Sequence, residues 1–234
     1  MTALVLRLAA PLQSWGTDSR FVRRGTDRAP SRSGVIGMLA AAKGLRRTDP
    51  LEDLLQLRIG VRTEQPGRIE RDFQTARSRD GSVSMPLSYR FYLADAVFAV
   101  AIEGPEQLLL GLREALRRPV FPVYLGRRSC PPAGVLDHGL HDGDIARVLE
   151  SLPWLASPAV QRAAAATVQL TISRDCAPDT PGSEVVRDDP ISFDPAHRQW
   201  GWRSVTRYPV TVPNPSAQRV IDSHDPMDLL GEPV

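Results

Sequence analysis

The chain has 234 residues, 42% of them hydrophobic, and a net charge of +2, which is enough apolar material for one large domain or two small ones. The apolar run Ala3–Leu6 ends at Arg7 and is too short for a signal peptide, and no later segment is long enough to cross a bilayer, so we expect a cytoplasmic protein with no membrane contact. Cys130 and Cys176 lack the spacing of a disulfide framework or a zinc site, so no metal or other cofactor is predicted.

Positive charge is concentrated in one stretch, Arg7 to Arg47, which holds nine basic residues against two acidic ones. The stretch therefore carries +7, and the rest of the chain sums to −5. A local cationic patch predicts a polyanionic partner such as a nucleic acid. The alternative is a solvated basic face in a chain that uses arginine as almost its only cation.

The first predicted element is a strand, because Leu4, Leu6 and Leu8 alternate with their neighbours. The segment 12–30 has neither strand nor helix periodicity, and a connection of this length is more often functional than idle. Its Trp15 is either an aromatic plug over the edge of the core or a platform for a base.

A helix follows this connection. Ser31 or Ser33 caps its start, apolar residues recur at helical spacing over 35–42, and Gly44 ends it.

The start and one face of this helix both suggest a ligand. Arg28 and Arg32 flank the helix start, where free N–H groups and the helix dipole favour a phosphate. The face that carries Gly34, Gly37 and Ala41 is nearly free of side chains. Glycine costs a helix about 1 kcal/mol relative to alanine, so this face predicts the close approach of another backbone, from a sheet or from a nucleic-acid strand.

A second strand over 57–61 precedes a predicted β-hairpin with arms at 68–75 and 85–95 and an Asp-Gly turn at 80–81. Basic and aromatic residues alternate along this hairpin, which suits single-stranded nucleic acid through phosphate neutralisation and stacking. The alternative is that the aromatic residues only form cross-strand pairs. The residues concerned are Arg68, Arg71, Phe73, Arg77, Arg79, Tyr89, Arg90, Phe91 and Tyr92.

The order of elements predicts an α+β fold of the ferredoxin-like (RRM-like) split βαβ type with the hairpin inserted as a thumb. A buried strand over 97–102 leads into a helix from Pro105 to Pro119. The last strand of the pattern is expected at 120–124 or at 167–173. Such a sheet leaves one face free of helices, and RNA-recognition modules of this shape use that face.

Three motifs in this order resemble the type I-E branch of the Cas-five family of CRISPR-associated proteins. They are LVLRLAAPLQSWG at 4–16, PSRSGVIG at 30–37 and YLGRRSCPP at 124–132. Weaker similarity continues at Ser173–Asp175 and at Arg198–Trp200.

The resemblance implies a non-catalytic subunit of the Cascade surveillance complex in antiviral defence, from the repeat-associated RNA-binding (RAMP) superfamily. Family members cap the 5′ handle of the CRISPR RNA (crRNA), contact the backbone subunit CasC and the large subunit CasA, and lay the hairpin thumb along the guide. Target DNA is reached only through the complex. The candidate RNA-binding residues are Gln13, Trp15, Arg23, Arg24, Arg28, Ser31, Arg32, Arg68, Arg77, Arg79, Tyr89, Arg90, Arg127 and Arg128. For Arg127 and Arg128 the alternative is a turn whose arginines pair with acids of this chain.

The enzyme alternative is a metal-independent endoribonuclease that processes precursor crRNA, as in type I-C relatives. Such cleavage needs a general acid and base around the 2′-OH. The chain has few candidates for these roles, because Lys43 is the only lysine and no histidine occurs before His138. His138 and His141 could be imagined as a metal pair. The segment 137–144 is better interpreted as a Gly- and Asp-rich loop before a helix at 145–152.

The chain is divided into a ferredoxin-like domain at 1–177 and a Pro-rich C-terminal extension at 178–234. Within the extension we expect a surface loop at 178–199, one strand at 205–212 and a loosely held tail at 213–234. The acidic residues of the loop could face another subunit. A pure assembly adaptor without RNA contact is a third possible function, but it leaves the +7 stretch unexplained.

Overall fold

The computed structural model describes residues 1–16 and 23–217. None of the described helices is long and apolar enough to cross a membrane. The strands are β1 (Thr2–Ala9), β2 (Leu12–Gln13), β3 (Arg23–Arg24), β4 (Arg58–Gln65), β5 (Arg68–Gln74), β6 (Ser88–Ala94), β7 (Val97–Glu103), β8 (Asp137–Asp142), β9 (Thr167–Asp175), β10 (Glu184–Ser192) and β11 (Gln199–Pro213). The helices are α1 (Arg32–Lys43), α2 (Glu52–Leu55), α3 (Glu106–Arg117), α4 (Ile145–Ser151) and α5 (Pro158–Ala163).

The main sheet has seven strands in the order β10-β11-β9-β4-β7-β1-β8. All the pairings along it are antiparallel. β1 and β7 are buried along most of their length, which explains why both are near-continuous apolar runs in the sequence. The four strands that accompany α1 and α3 along the chain lie in the order β8-β1-β7-β4.

The strand beside β1 is β8. A strand is present at 167–175, as one of the two predictions has it, but neither it nor 120–124 is the last strand of the predicted pattern. The segment 120–124 runs along the end of α1, where Val120 and Phe121 donate backbone hydrogen bonds to carbonyls of that helix. Residues 167–175 form β9, which pairs with β4 instead. The segment 137–142, predicted as a loop, is β8, and Asp137 is anchored to α3 by Arg113 and Arg117.

Helices cover both faces of the sheet next to β1, so the expectation of a helix-free face is wrong. Leu4, Leu6 and Leu8 pack on the side of α1 and α3. The alternate residues Ala3 and Val5 pack against α4, which the chain forms on its way from β8 to β9. The small residues on this second side allow a close approach, because a Cβ at Gly60 would lie 2.2 Å from Ile145 Cγ2.

A fully buried ion pair holds the end of α4 to the sheet. The side chains of Arg62 and Glu64 on β4 are both 0% exposed, and Arg62 Nε lies 2.6 Å from Glu64 Oε1. The Arg62 guanidinium also donates to the carbonyls of Leu149, Leu152 and Pro153 at 2.6, 2.9 and 2.7 Å. Burial raises the pKa of Glu64, and the hydrogen bond from Arg62 opposes that shift.

The predicted hairpin is present as β5 and β6, which pair from Arg68↔Ala94 to Gln74↔Ser88. Its tip contains a left-handed Gly81 (φ 76°) after Asp80, as the turn signal predicts. Hydrogen bonds from Ser78 and Ser82 lower the pKa of Asp80 to about 2. β2 and β3 join the same small sheet through β6.

The extension adds two strands to the main sheet. The segment 178–199, predicted as a surface loop, contains β10, and the strand predicted at 205–212 is part of the longer β11. β11 pairs with both β10 and β9. Of the predicted tail, 218–234 lies outside the described residues, and the domain boundary at 177/178 stays a prediction.

Candidate nucleic-acid interface

A groove of about 840 Å³ runs along the side of α1 that carries the smallest residues. Gly34, Gly37 and Ala41 line it from the helix. Further walls come from the segment 121–126 and from the connection between β10 and β11. The side-chain-poor helix face predicted from the sequence is therefore one wall of a cavity large enough for a nucleotide.

The glycine at the start of this face accommodates an indole and not a backbone. A Cβ at Gly34 would lie 2.8 Å from Trp15 Cε3, and Trp15 is only 1% exposed. Trp15 Nε1 donates to Gln13 Oε1 at 3.0 Å, and Gln13 Nε2 donates to the Ala96 carbonyl at 2.7 Å. Gln13 is fully buried with its polar atoms satisfied inside the protein, so its predicted RNA contact is corrected to a core role. Trp15 is the aromatic plug of the two interpretations.

Arginines and aromatic side chains line the open part of the groove. The arginines are Arg46, Arg47, Arg128 and Arg198, and the aromatic residues besides Trp15 are Phe121, Tyr124, Phe193 and Trp200. All four arginines are exposed, and none forms an ion pair with a described acid. None of the described lining residues is acidic. A cationic groove with aromatic walls can neutralise phosphates and stack unpaired bases.

The start of α1 is not available for a phosphate, so that prediction is wrong. Ser31 caps the helix and accepts from Gly34 N at 3.2 Å, and Asp188 Oδ2 accepts from Arg32 N at 2.7 Å. The chain's own carboxylate thus occupies the anion position. The Arg32 side chain is buried and donates to Asp175, Asp189 and two carbonyls.

Arg127 and Arg128, adjacent in one motif, have different environments. The Arg127 guanidinium donates to the carbonyls of Phe91, Arg24 and Gly25 at 3.1, 2.9 and 3.2 Å. It also lies 4.7 Å from the centre of the Tyr92 ring. Arg127 therefore holds the basic loop before α1 (described residues 23–30) to β6, but through carbonyls and not through the acids that the alternative expected. Arg128 is exposed in the groove.

The basic loop lies beside the hairpin. Arg23 and Arg24 form β3, which pairs in parallel with Tyr89 and Arg90 of β6. Both arginines are exposed, as is Arg28, and the Arg23 guanidinium lies 5.1 Å from the Phe91 ring centre. The basic loop and the hairpin therefore form one continuous surface. Arg20, which adds to the charge of the stretch, lies outside the described residues.

The hairpin has one face with aromatic and basic side chains. Cross-strand register places Phe73 opposite Tyr89 and Arg71 opposite Phe91. Phe73 is 65% and Tyr89 38% exposed, and the Arg71 guanidinium lies 5.6 Å from the Tyr89 ring centre. The aromatic residues therefore do form cross-strand pairs, and the outer surfaces of these pairs are exposed to solvent. Arg68, Arg77 and Arg79 are exposed on the hairpin, whereas Arg90 is half-buried.

If this face of the hairpin binds single-stranded RNA, as the sequence predicts, replacing Phe73 and Tyr89 together with alanine should loosen crRNA in the assembled complex, because each stacked base contributes about 1–3 kcal/mol. The melting temperature of the subunit should change little, since Phe73 is 65% exposed and Tyr89 lies opposite it on the same outer face of the hairpin. Retention of crRNA through gel filtration tests this expectation. Val185→Ala on β10, where Val185 is 65% exposed, is the matched control. A large fall in melting temperature with unchanged retention would show that the rings serve the fold.

The residues considered for catalysis are not gathered into a site. His141 Nε2 lies 3.0 Å from the His138 carbonyl, and Asp137 accepts from Arg113 and Arg117. The pKa of His138 is lowered by burial and by the positive charge of Arg7. Among the described residues no group of three or more His, Cys, Asp or Glu could hold a metal ion, and no described His or Lys lines the groove.

Sequence reasoning missed several groove residues. Arg46 and Arg47 belong to the +7 stretch but follow the end of the helix, so they carry no motif of their own. Arg198 and Trp200 belong to a region that was interpreted as a surface loop and its end. The signal that could have found them is the weak family similarity at 198–200, combined with the side-chain-poor face of α1.

Comparison with known proteins identifies relatives over most of the chain. The family described as CRISPR-associated protein (Cas_Cas5) matches residues 3–206. The CRISPR system Cascade subunit CasD of Escherichia coli (strain K12) is 32% identical over 148 residues, which cover 55% of this chain and 66% of that relative, just under two thirds of its length.

Solved structures agree in fold. A chain of a "CRISPR RNA-guided surveillance complex" superposes with a TM-score of 0.75 at 35% identity and covers 90% of this chain and 91% of its own. A second, titled "Crystal structure of Cas protein", has a TM-score of 0.71 at 32% identity, with 92% of this chain and all of that chain (100%) covered. The mixed α+β fold with its antiparallel sheet is therefore that of a CRISPR-associated protein.

The chain belongs to the Cas-five family. This confirms the resemblance carried by the three sequence motifs.

Proposed function

We propose that the chain is a non-catalytic RNA-binding subunit of a type I-E CRISPR surveillance complex and that it caps the 5′ handle of the crRNA. The observation that carries the proposal is the groove along α1, with four exposed arginines, aromatic walls and no acid among its described lining residues. The similarity to a Cascade subunit supports a role within such a complex.

In this proposal the groove holds the handle and the hairpin follows the guide. Arginines contact phosphates, which carry no sequence information, so any base preference comes from main-chain groups and from unpaired bases held against the protein. Arg23, Arg24 and Arg28 extend the cationic surface from the groove toward the hairpin. The order β8-β1-β7-β4 is the strand order expected of a ferredoxin-like domain, to which we assign this half of the sheet.

The protein partners in this proposal are the backbone subunit CasC and the large subunit CasA, and target DNA is met only through the complex, in the cytoplasm. Asp179, an exposed acid of the extension, is available for a basic surface of a neighbouring subunit, whereas Glu184 pairs with Arg207. Asp188 and Asp189 are removed from that role, because they pair with Arg203 and Arg32.

Replacing Arg46, Arg47 or Arg128 singly with alanine should weaken handle binding and flatten its salt dependence. Each phosphate contact on a single strand contributes about −0.7 to the slope of log affinity against log salt concentration. Binding of the assembled complex to the RNA handle, measured over a salt series for each variant, provides the slope. Arg118→Ala is the matched control, since Arg118 is exposed at the end of α3 and does not line the groove.

The proposal fails if none of the three groove variants changes the slope while the Arg118 control behaves like the wild type. The cationic groove would then serve protein partners, and the adaptor function would take its place.

A further inference from the structure

The hairpin β10–β11 carries two stacked arginine–tryptophan pairs with different surroundings. The Arg198 guanidinium lies 6.0 Å from the Trp200 ring centre, and both residues line the groove. The Arg187 guanidinium lies 5.8 Å from the Trp202 ring centre, and neither residue lines the groove. Trp200 is half-buried, whereas Trp202 is 66% exposed. The same pair of residue types thus occurs once inside the groove and once outside it.

The hairpin that carries the pair inside the groove is attached to α1. Asp188, in the middle of β10, accepts from Arg32 N at 2.7 Å and from Arg203 Nε at 2.5 Å. Arg203 also pairs with Asp175 at the end of β9. Farther along, a Cβ at Gly37 would lie 3.6 Å from Phe193 Cζ. These contacts fix the connection that carries Arg198 and Trp200 beside the side-chain-poor face of the helix.

We propose that Arg198 and Trp200 form a nucleotide subsite in which one unpaired RNA base stacks on the Trp200 indole and its phosphate is bound by Arg198. This inference rests on the proposed function, and it makes the C-terminal hairpin part of the RNA site. A distance of 6.0 Å is at the outer limit of a cation–π contact, so Arg198 can turn to a phosphate at little cost. An indole in a groove lined by arginines and by no described acid favours a nucleotide over an acidic peptide, which needs no ring to stack on.

The first experiment tests the stacked base. The assembled complex, with wild-type or Trp200→Ala subunit, is titrated with handle RNA and with a series of the same RNA in which one base at a time is removed to leave an abasic nucleotide. Trp200→Ala should weaken binding of the intact handle by about 5- to 150-fold, the range of one stacked base. At a single abasic position the wild type and the variant should bind equally, because the partner of Trp200 is already missing.

Conservative and control variants separate stacking from folding. Trp200→Phe should retain most of the affinity, and Trp200→Leu, which keeps apolar bulk without stacking an indole, should show the same position-specific loss as alanine. Trp202→Ala is the matched control and should bind every RNA of the series like the wild type. Equal losses for all abasic RNAs with Trp200→Ala and with Trp200→Leu would overturn the subsite, since Trp200 would then act through the fold.

The second experiment tests the phosphate. Arg198→Ala should reduce the magnitude of the salt slope by about 0.7, whereas Arg187→Ala should leave it unchanged. An unchanged slope together with loss of a protein subunit from the complex would overturn the inference in favour of a protein contact. If Arg46 and Arg128 variants lose affinity but Trp200 and Arg198 variants do not, only the subsite is wrong. If the wild-type complex does not bind the handle RNA, the proposed function is wrong, and the subsite is wrong with it.

Discussion

Replacing Arg62 with alanine is expected to lower the free energy of unfolding by about 3–5 kcal/mol, because it leaves a buried charge without its partner. Glu64 has no exposed side-chain surface, and its other hydrogen-bond donor is Leu155 N at 2.8 Å. The loss of Arg62 also frees three carbonyls at and after the end of α4. The cost of unsatisfied buried acceptors adds to that of the charge.

Denaturant unfolding of the variant measures this loss. Arg207→Ala on β11 is the control, because Arg207 and Glu184 form an ion pair in which both side chains are about half-exposed, and such pairs contribute about 0–1 kcal/mol. The double variant Arg62→Met with Glu64→Leu should be more stable than Arg62→Ala, since it leaves neither charge buried. A single Arg62→Ala variant that unfolds like the Arg207 control would show that water reaches this pair.

Replacing Arg32 with alanine should also cost about 3–5 kcal/mol, through loss of a buried charge network. Arg32 Nη1 and Nε pair with Asp175 and Asp189 at 3.0 and 2.6 Å, and the guanidinium donates to the carbonyls of Leu55 and Leu57. The variant leaves Asp189 without its ion-pair partner, while Asp175 keeps Arg203. α1 thereby loses its side-chain links to β9, to β10 and to the segment before β4.

The salt dependence of RNA binding distinguishes Arg32 from an arginine that contacts phosphate. In complexes that assemble, Arg32→Ala should leave the slope of log affinity against log salt concentration as in the wild type, because the buried guanidinium reaches no phosphate. Arg28→Ala is the control for stability, since Arg28 is exposed in the loop before α1. A stable Arg32→Ala protein with a flatter slope would contradict the assignment and restore Arg32 to the RNA site.

Most regular elements were predictable because their signals are local. Leucine alternation gives β1, Ser31 and Gly44 delimit α1, and an Asp-Gly turn marks the hairpin tip. β8 and β10 were missed because they lack that alternation. β8 is rich in Asp, His and Gly, and β10 contains a buried Asp188 and Pro190 with shifted register. Their strand state depends on partners far along the chain.

The site was only partly predictable for the same reason. Arg32 and Arg128 both stand in basic motifs, and nothing near Arg32 in the sequence shows that its charge is neutralised inside the protein. The acids that pair with the Arg32 guanidinium, Asp175 and Asp189, lie 143 and 157 positions away in the sequence. Charge concentration indicated two of the four groove arginines, Arg46 and Arg47, but could not tell structural arginines from exposed ones.

The network around Arg32 has a consequence for the order of events during translation. α1 leaves the ribosome long before Asp188, which is 156 positions later, and before Arg203 and β11. Because these long-range contacts close late, the nascent chain must hold an unpaired arginine and an unfinished sheet edge until β10 and β11 have been synthesised. The groove wall that carries Trp200 belongs to the same segment, so in the proposed function the groove can take up RNA only after β10 and β11 have folded onto α1.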